Sequence, residues 1–390
     1  MRLISFTIAN YRSFFTEQTI KFNFDDKHVN AVLGPNGSGK TNLFAAVAFF
    51  RDFIRTSTQF TGQRMAYESF LLNVQAGDQP TTFAAELEIE HYIYKYSFSL
   101  FKTEVVDERL TRKQLGKSAI TLFSRNSLDK NRYATHGFSS ELARTTRPDA
   151  LVLTKAWENN NKHAKKIFVW LDHLMLMSNS QPITKTAEKI IESAQFKDKV
   201  LALLQAADLH IQDIDVTQVK MPDEVFAKIP LKDELKAQLN RVGYSIATTH
   251  FIRDQQGKII KTRPLSLESH ESLGTKRIFE LAYPLLDTLE QGNVLYIDEF
   301  EILLHPKECL LIVSLFKASN NPKQAQLIIN THNTQVLDQI GRNNIHLLGK
   351  NQLEATVIGK IPADVRLDDK NLERKYHKGL FGAVPNVREY

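Results

Sequence analysis

The run Gly34-Pro35-Asn36-Gly37-Ser38-Gly39-Lys40-Thr41 has the residue types and spacing of a loop built to hold phosphate. Its glycines let successive backbone N–H groups turn toward one anion, and a helix starting at its end adds the positive end of a dipole. Lys40 is then placed to reach the β- and γ-phosphates of a nucleotide, and the Thr41 hydroxyl to hold Mg2+. Far along the chain, the apolar run Val294-Leu295-Tyr296-Ile297 ends in Asp298-Glu299. A buried strand there brings Asp298 to the mouth of a sheet, where it can anchor Mg2+ through water. Glu299 can then orient or deprotonate an attacking water. Two acids after a strand also make an ordinary loop; the phosphate loop gives this pair its meaning. The chemistry expected is binding and hydrolysis of ATP with Mg2+.

Two further segments bear on the same chemistry. Ser272-Leu273-Gly274-Thr275 opens a helical stretch, where a hydroxyl and free N–H groups can face a phosphate. The same residues also make a capped helix, with Ser272 as the cap and Gly274 in the turn. His332, in Asn330-Thr331-His332-Asn333, follows an apolar strand at the end where open α/β sheets bind ligands. It can meet a γ-phosphate there or be a loop histidine.

The elements that must position these groups are legible from periodicity. Strands are expected at Leu3–Ile8, Thr19–Phe24 and Val29–Leu33, as a meander running into the phosphate loop. A helix over Thr41–Phe53 has Leu43, Phe44, Val47, Phe49 and Phe50 on its apolar side. Strands follow at Thr82–Glu90 and Tyr92–Phe101. From about 105 to 207 the pattern reads as helical and basic, including Ala164–Met177 and Thr184–Ala207. Strands resume at Ile211–Val219 and Tyr244–Arg253, the latter turning through Asp254–Gly257 into Lys258–Lys261. The remainder alternates: helix Thr275–Leu289, strand Val294–Ile297, helix Pro306–Ser319, strands Leu327–Ile329 and Ile345–Leu348. This order predicts an α/β fold with a parallel sheet assembled from both ends of the chain. The expected division is residues 1–104, a helical basic insertion over 105–207, and 208–390.

With 42% hydrophobic and 24% charged residues over 390 positions, the chain reads as globular, neither disordered nor membrane-embedded. No apolar run reaches the roughly 20 residues that span a bilayer, and no signal-peptide pattern opens the chain, so a cytoplasmic location is expected. Cys309 is the single cysteine, which excludes an internal disulfide. Net charge is +6, but it is unevenly spread: Arg109–Lys166 holds 13 Lys or Arg against 4 Asp or Glu. Such a stretch can be a footprint for nucleic acid or simply a solvated face.

Taken together, the phosphate loop, Ser272-Leu273-Gly274, Asp298-Glu299 and His332 resemble an ABC-type ATPase head of the SMC/RecF/OLD class. The finer resemblance is to compact bacterial ATPases of phage-defence and abortive-infection modules, similar to RloA and AbiLi. It is carried by Asn10-Tyr11-Arg12-Ser13-Phe14, Glu271-Ser272-Leu273-Gly274-Thr275, Asp298-Glu299-Phe300-Glu301, Leu304-His305-Pro306, Thr331-His332-Asn333 and Phe381-Gly382-Ala383-Val384-Pro385. The resemblance covers both ends of the chain well and the middle poorly. It implies an ABC-type head with a mixed sheet, a Walker A loop at Gly34–Thr41 and Walker B acids at Asp298 and Glu299. Lys40, Glu299 and His332 would be catalytic, with His332 the switch histidine, and Thr41 and Asp298 would hold Mg2+. Ser272, Gly274 and Thr275 would form a signature that contacts ATP held by a second subunit, and Leu304-His305-Pro306 would lie where the two subunits communicate. The signature departs from the transporter form, and Gln75 is only one of several candidates for a Q-loop glutamine. No TOPRIM or HNH-like nuclease pattern is found, and Asp364, Asp368 and Asp369 read as loop acids. A separate nuclease or toxin partner is therefore expected to act as effector of a homodimer or larger homo-oligomer. The alternative is a RecF-like DNA-binding ATPase of repair or recombination.

Overall fold

A computed structural model describes residues 1–23, 28–59, 67–114, 116–126, 133–178, 183–220, 242–361 and 371–381. Asp364, Asp368, Asp369 and Gly382-Ala383-Val384-Pro385 lie outside the described residues. The chain divides into two units. The first comprises Met1–Asn179, Thr288–Glu301 and Ile312–Tyr390; the second comprises Ser180–Asp287 and Ile302–Leu311.

The strands in chain order are β1 (Arg2–Ala9), β2 (Gln18–Lys21), β3 (Val29–Leu33), β4 (Thr81–Ile89), β5 (Tyr92–Phe101), β6 (Glu104–Gln114), β7 (Ile120–Asn126), β8 (Tyr133–Thr135) and β9 (Leu174–Met177). They continue with β10 (Asp213–Lys220), β11 (Val242–Arg253), β12 (Ile259–Ser266), β13 (Val294–Ile297), β14 (Gln326–Asn330), β15 (Ile345–Lys350) and β16 (Thr356–Lys360).

In the first unit, seven antiparallel strands run in the order β2-β1-β4-β5-β6-β7-β8. A second, six-stranded sheet has the order β16-β15-β3-β14-β13-β9, parallel except for its edge strand β16. Its strands β3, β13 and β14 are buried at every position, as a strand covered on both faces requires. The helix Lys40–Thr56 buries Leu43, Ala46, Val47, Phe50, Phe53 and Ile54. Phe50 stacks on Phe98 of β5 at 5.6 Å and 11°, and meets Phe6 of β1 edge-on at 5.6 Å. Each ring buried this way stabilises the fold by about 1.5–3 kcal/mol relative to an exposed one. The helix that leaves the phosphate loop is therefore fastened to the antiparallel sheet through Phe49, Phe50 and Phe53.

The mixed sheet built from both chain ends is as expected, but three local readings need correction. β3 does not continue a meander with β1 and β2; buried on both faces, it joins the parallel sheet. Glu104–Gln114 and Ile120–Asn126 are not helical but form β6 and β7, which extend the antiparallel sheet. Helix Lys162–Asp172 stops before Leu174–Met177, which becomes the edge strand β9 beside β13. The first unit takes in the chain up to Asn179, past β9, and the second begins at Ser180.

The strands β6 and β7 were hidden by inward-facing charges. Glu108 is fully buried and accepts from the Tyr96 hydroxyl at 2.8 Å and from the N–H groups of Val152 and Leu153 at 2.8 and 2.9 Å. Burial pushes its carboxyl above the ordinary range, while Arg125 and these donors pull it back. Arg125 in turn donates to the carbonyls of Ala150, Pro148 and Val105 at 3.2–3.4 Å.

The second unit holds an antiparallel sheet, β10-β11-β12, and the helices Thr184–Glu192 and Ala194–Ala206. Those two were read as one helix; Ser193 separates them by capping the second through Phe196 N at 3.2 Å. The helix Leu273–Gln291 begins here, and Thr186 ties to it by donating to Phe279 O at 3.0 Å. Among the described residues, no helix is long and apolar enough to cross a membrane.

Candidate nucleotide site

The loop Gly34–Gly39 lies at the carboxyl end of β3, at the edge where parallel sheets present ligands. Two of its glycines are forced. Gly39 has φ +106°, and a Cβ there would lie 2.3 Å from Thr356 Oγ1 and 2.8 Å from Ser13 Oγ. A Cβ on Gly34 would lie 2.4 Å from the carbonyl of Leu348. The loop's far side is pinned by Ser13 together with Thr356 and Asn42, two side chains that sequence reasoning did not single out. Thr356 Oγ1 donates to Ser38 O at 2.8 Å and lies 2.9 Å from Ser13 Oγ, which also accepts from Asn42 at 2.8 Å.

Lys40 folds back over the loop, its Nζ donating to Gly34 O at 2.7 Å and Pro35 O at 3.3 Å. Burial lowers its pKa, while Glu301 first, then Asp298 and Glu299, pull it up. Ser38 Oγ is buried without a hydrogen-bond partner, and Gly37 has open space where a Cβ would stand. Thr41 is exposed at the first turn of the helix. An orphaned hydroxyl, an open glycine turn, a lysine and a free threonine fit the phosphates of a nucleotide with its Mg2+.

Asp298 extends β13, its N–H bonding to Met177 O of β9 at 2.8 Å. Its Oδ1 accepts from Asn330 Nδ2 at 2.7 Å. The second hydrogen of the same amide goes to Lys40 O at 2.9 Å, and Asn330 Oδ1 accepts from the Tyr296 hydroxyl at 2.9 Å. Tyr296 is fully buried and its pKa lies well above 10, so it stays a donor. Asn330 thus joins the ends of β13 and β14 to the helix of the phosphate loop. Glu299 is exposed, with φ +50°. Glu301 accepts from His332 N and Thr331 Oγ1, both at 2.7 Å, which fixes the loop after β14. His332 is pushed below its ordinary pKa by partial burial and by Lys40, while Glu301 and Glu299 oppose the shift.

The first unit therefore brings together Gly34–Thr41, Asp298, Glu299 and His332, and adds Asn330 and Glu301, whose roles the sequence reading missed. The available signals were slight: a polar residue closing the apolar strand Gln326–Asn330, and a third acid after Asp298-Glu299.

Ser272, Gly274 and Thr275 belong to the second unit. Ser272 is exposed and caps its helix, accepting from Thr275 N at 3.1 Å. A Cβ on Gly274 would lie 3.1 Å from Leu303 O. His305 is exposed, its N–H on Glu308 at 2.6 Å. Gln75, in the first unit, is exposed before the turn Ala76–Asp78.

Beside the phosphate loop, Arg12, Ser13, Asn42, Phe70, Lys350 and Glu354 line a cavity of about 380 Å³. Of the basic residues in 109–166, several are engaged within the chain. Arg125 lies on buried carbonyls, Lys166 on Glu90, Arg147 on Asp149 and Lys155 on Glu158.

Comparison with known proteins gives three kinds of match. One is to the DNA replication and repair protein RecF of Lactobacillus johnsonii, 36% identical over 73 residues, 16% of this chain and 18% of that protein. The chain thus matches less than a fifth of that curated relative's length. The SMC head domain from Thermotoga maritima is 16% identical, with TM-score 0.43, over 93% of this chain and 100% of that one. An SmcHead bound to the C-winged helix domain of ScpA is 13% identical, with TM-score 0.45, over 93% and 98%. The family described as "AAA domain, putative AbiEii toxin, Type IV TA system" matches residues 29–338, and the chain belongs to this family of AAA-domain ATPases.

Proposed function

We propose that the protein is a Mg2+-dependent ATPase whose nucleotide is enclosed between two copies of the chain, and that the closed pair controls a separate effector, such as a nuclease or toxin, in anti-phage defence. The observation that carries the reading is the hydrogen-bonded array Lys40–Asn330–Asp298, with Glu301 holding the His332 loop beside it. These bonds hold Lys40, Asp298 and the His332 loop at one sheet edge, so little reorganisation remains for the reaction.

In this reading Lys40 leaves the Gly34 carbonyl for the β- and γ-phosphates. Thr41 and Asp298 would hold Mg2+, which would supply positive charge to the phosphates when bound. Glu299 takes the proton of the attacking water, and His332 donates to the γ-phosphate. The nucleoside end occupies the cavity at Arg12 and Asn42. Ser272, Gly274 and Thr275 of the second copy cover the γ-phosphate with a hydroxyl and helix-start N–H groups. The defence role draws on the family description and on the resemblance to RloA- and AbiLi-like ATPases.

The test is light scattering on Glu299→Gln with Mg2+-ATP. The expected result is a stable dimer that Ser272→Arg abolishes; a monomer at saturating ATP would overturn the enclosed site.

A second reading, DNA binding, draws on the stretch similar to RecF and on exposed Lys113, Lys117, Arg144, Lys162 and Lys165. It requires duplex binding that weakens steeply with salt and with charge reversal at these positions.

A further inference from the structure

The turn that carries Ser272 has little apolar anchorage. Leu273 is 61% exposed and Ser272 itself is exposed. Within the turn, Ser272 Oγ accepts from Thr275 N at 3.1 Å and lies 2.9 Å from Thr275 Oγ1, bonds that shape the helix start. What ties it outward is the residue before it. Glu271 is extended, at φ −85° and ψ 153°, and directs its carboxylate onto β11. Its Oε1 accepts from Thr248 Oγ1 at 2.5 Å and lies 2.7 Å from His250 Nε2. Thr248 is fully buried, and the Glu271 side chain is only 12% exposed.

The two donors stand two residues apart on β11, and so on one face of the sheet. Thr248 pairs with Ile214 of β10 and Leu265 of β12, which makes its strand the centre of the sheet. A carboxylate that takes two short bonds away from water is held in direction as well as in place. Strand geometry couples this to register: a one-residue slip of β11 would turn both donors to the opposite face.

We propose that Glu271 is a positioning residue that fastens the Ser272 turn to β11, so that Thr248 and His250 set where the Ser272 hydroxyl stands. The exposed β11–β12 hairpin then bears on the turn through this carboxylate as well as through the chain that leaves β12. Its effect on catalysis rests on the reading of Ser272 as part of an enclosed nucleotide site; the tether itself does not.

The test uses the full chain and two readouts. Hydrogen exchange over residues 271–275, without nucleotide, reports the tether. Steady-state ATP hydrolysis, split into kcat and KM, reports its consequence. Glu271→Ala is expected to speed exchange of the turn about 10-fold and to lower kcat about 10-fold, with KM within about twofold. Thr248→Val combined with His250→Ala should do the same, and adding Glu271→Ala should cost nothing more, because all three changes break one interaction. Glu271→Gln should recover most of the loss, since its amide oxygen accepts the same two bonds. Should Glu271→Ala fail to fold, the Thr248→Val and His250→Ala pair carries the test. Unchanged exchange overturns the proposal, as does a loss of kcat that merely follows the folded fraction. Faster exchange together with Ser272→Ala at wild-type kcat upholds the tether and removes the enclosed-site reading.

Discussion

The side-chain amide of Asn330 lies 2.7 Å from Asp298 Oδ1 and sends its other hydrogen to the carbonyl of Lys40. One buried amide therefore spaces the acid after β13 from the first residue of the phosphate-loop helix. Asn330→Ala leaves the Tyr296 hydroxyl and Asp298 Oδ1 without this partner in a buried place. The expected cost is about 2–4 kcal/mol in denaturant unfolding, from two orphaned groups. ATP hydrolysis should fall at least about 10-fold as Asp298 loses the amide that holds its Oδ1. Wild-type hydrolysis by Asn330→Ala would show that Asp298 needs no such spacing.

Gly39 and Gly37 make a paired prediction. Both have positive φ, +106° and +75°, but only Gly39 faces side chains, with Thr356 Oγ1 2.3 Å from where a Cβ would be. Gly39→Ala should cost more than about 2 kcal/mol and abolish nucleotide binding, since the loop must move off Ser13 and Thr356. Gly37→Ala meets open space and should cost only about 1–2 kcal/mol. Equal effects in a side-by-side urea titration would place the constraint elsewhere than at Thr356.

What the sequence reveals and hides follows from which contacts are local. The phosphate loop is contiguous, and β3, β4, β5, β13 and β14 have clear apolar patterns that the sequence shows to within a few residues. β6 and β7 were not, because Glu108 and Arg125 point inward and break the apolar alternation that marks a strand. Nor were the roles of Asn330 and Glu301. Asn330 acts on a residue 290 positions away, and Glu301 on one 31 positions away. Nothing in either segment alone announces such a partner.

Glu108 carries its own prediction. It accepts three hydrogen bonds in a site closed to water, with Arg125 as countercharge. Glu108→Ala strands Arg125 and two helix-start N–H groups, and should destabilise by about 3–5 kcal/mol. Glu108→Gln keeps an acceptor and should lose less. A melting temperature unchanged in Glu108→Ala would mean that the helix Val152–Glu158 is held by its apolar face alone.

Stability should also depend on pH through His346. Burial first, and Lys360 second, lower its pKa from 6.5 to about 3. At neutral pH the ring is uncharged in both the folded and unfolded states and contributes no pH dependence. As pH falls below 6.5 the unfolded chain takes up a proton that the folded chain refuses, so stability declines by up to about 1.4 kcal/mol per pH unit until the folded ring titrates near pH 3. His163, with its pKa lowered to about 4, acts in the same direction. Replacing His346 by Gln should flatten the fall in urea midpoint between pH 6.5 and 4; an unchanged slope would locate the acid sensitivity in other groups.

Lys40 and Glu299 separate binding from chemistry. Lys40 lies against Gly34 O and Pro35 O, within the field of Glu301, Asp298 and Glu299, so its charge is already balanced before nucleotide arrives. Removing it leaves the triphosphate facing carboxylates without a cation, and Lys40→Ala should weaken ATP binding by at least about 100-fold, on the order of 2.7 kcal/mol. Glu299 is exposed, and among the described residues no hydrogen bond joins it to the loop glycines or to Asn330, so its loss should spare binding. Glu299→Gln should keep ATP affinity within about threefold while lowering kcat by at least about 100-fold, the range for a general base. Isothermal titration and single-turnover hydrolysis measure the two effects independently. A Glu299→Gln protein that hydrolyses ATP at the wild-type rate would move the base to another residue, and Glu301 would be the next carboxylate to test.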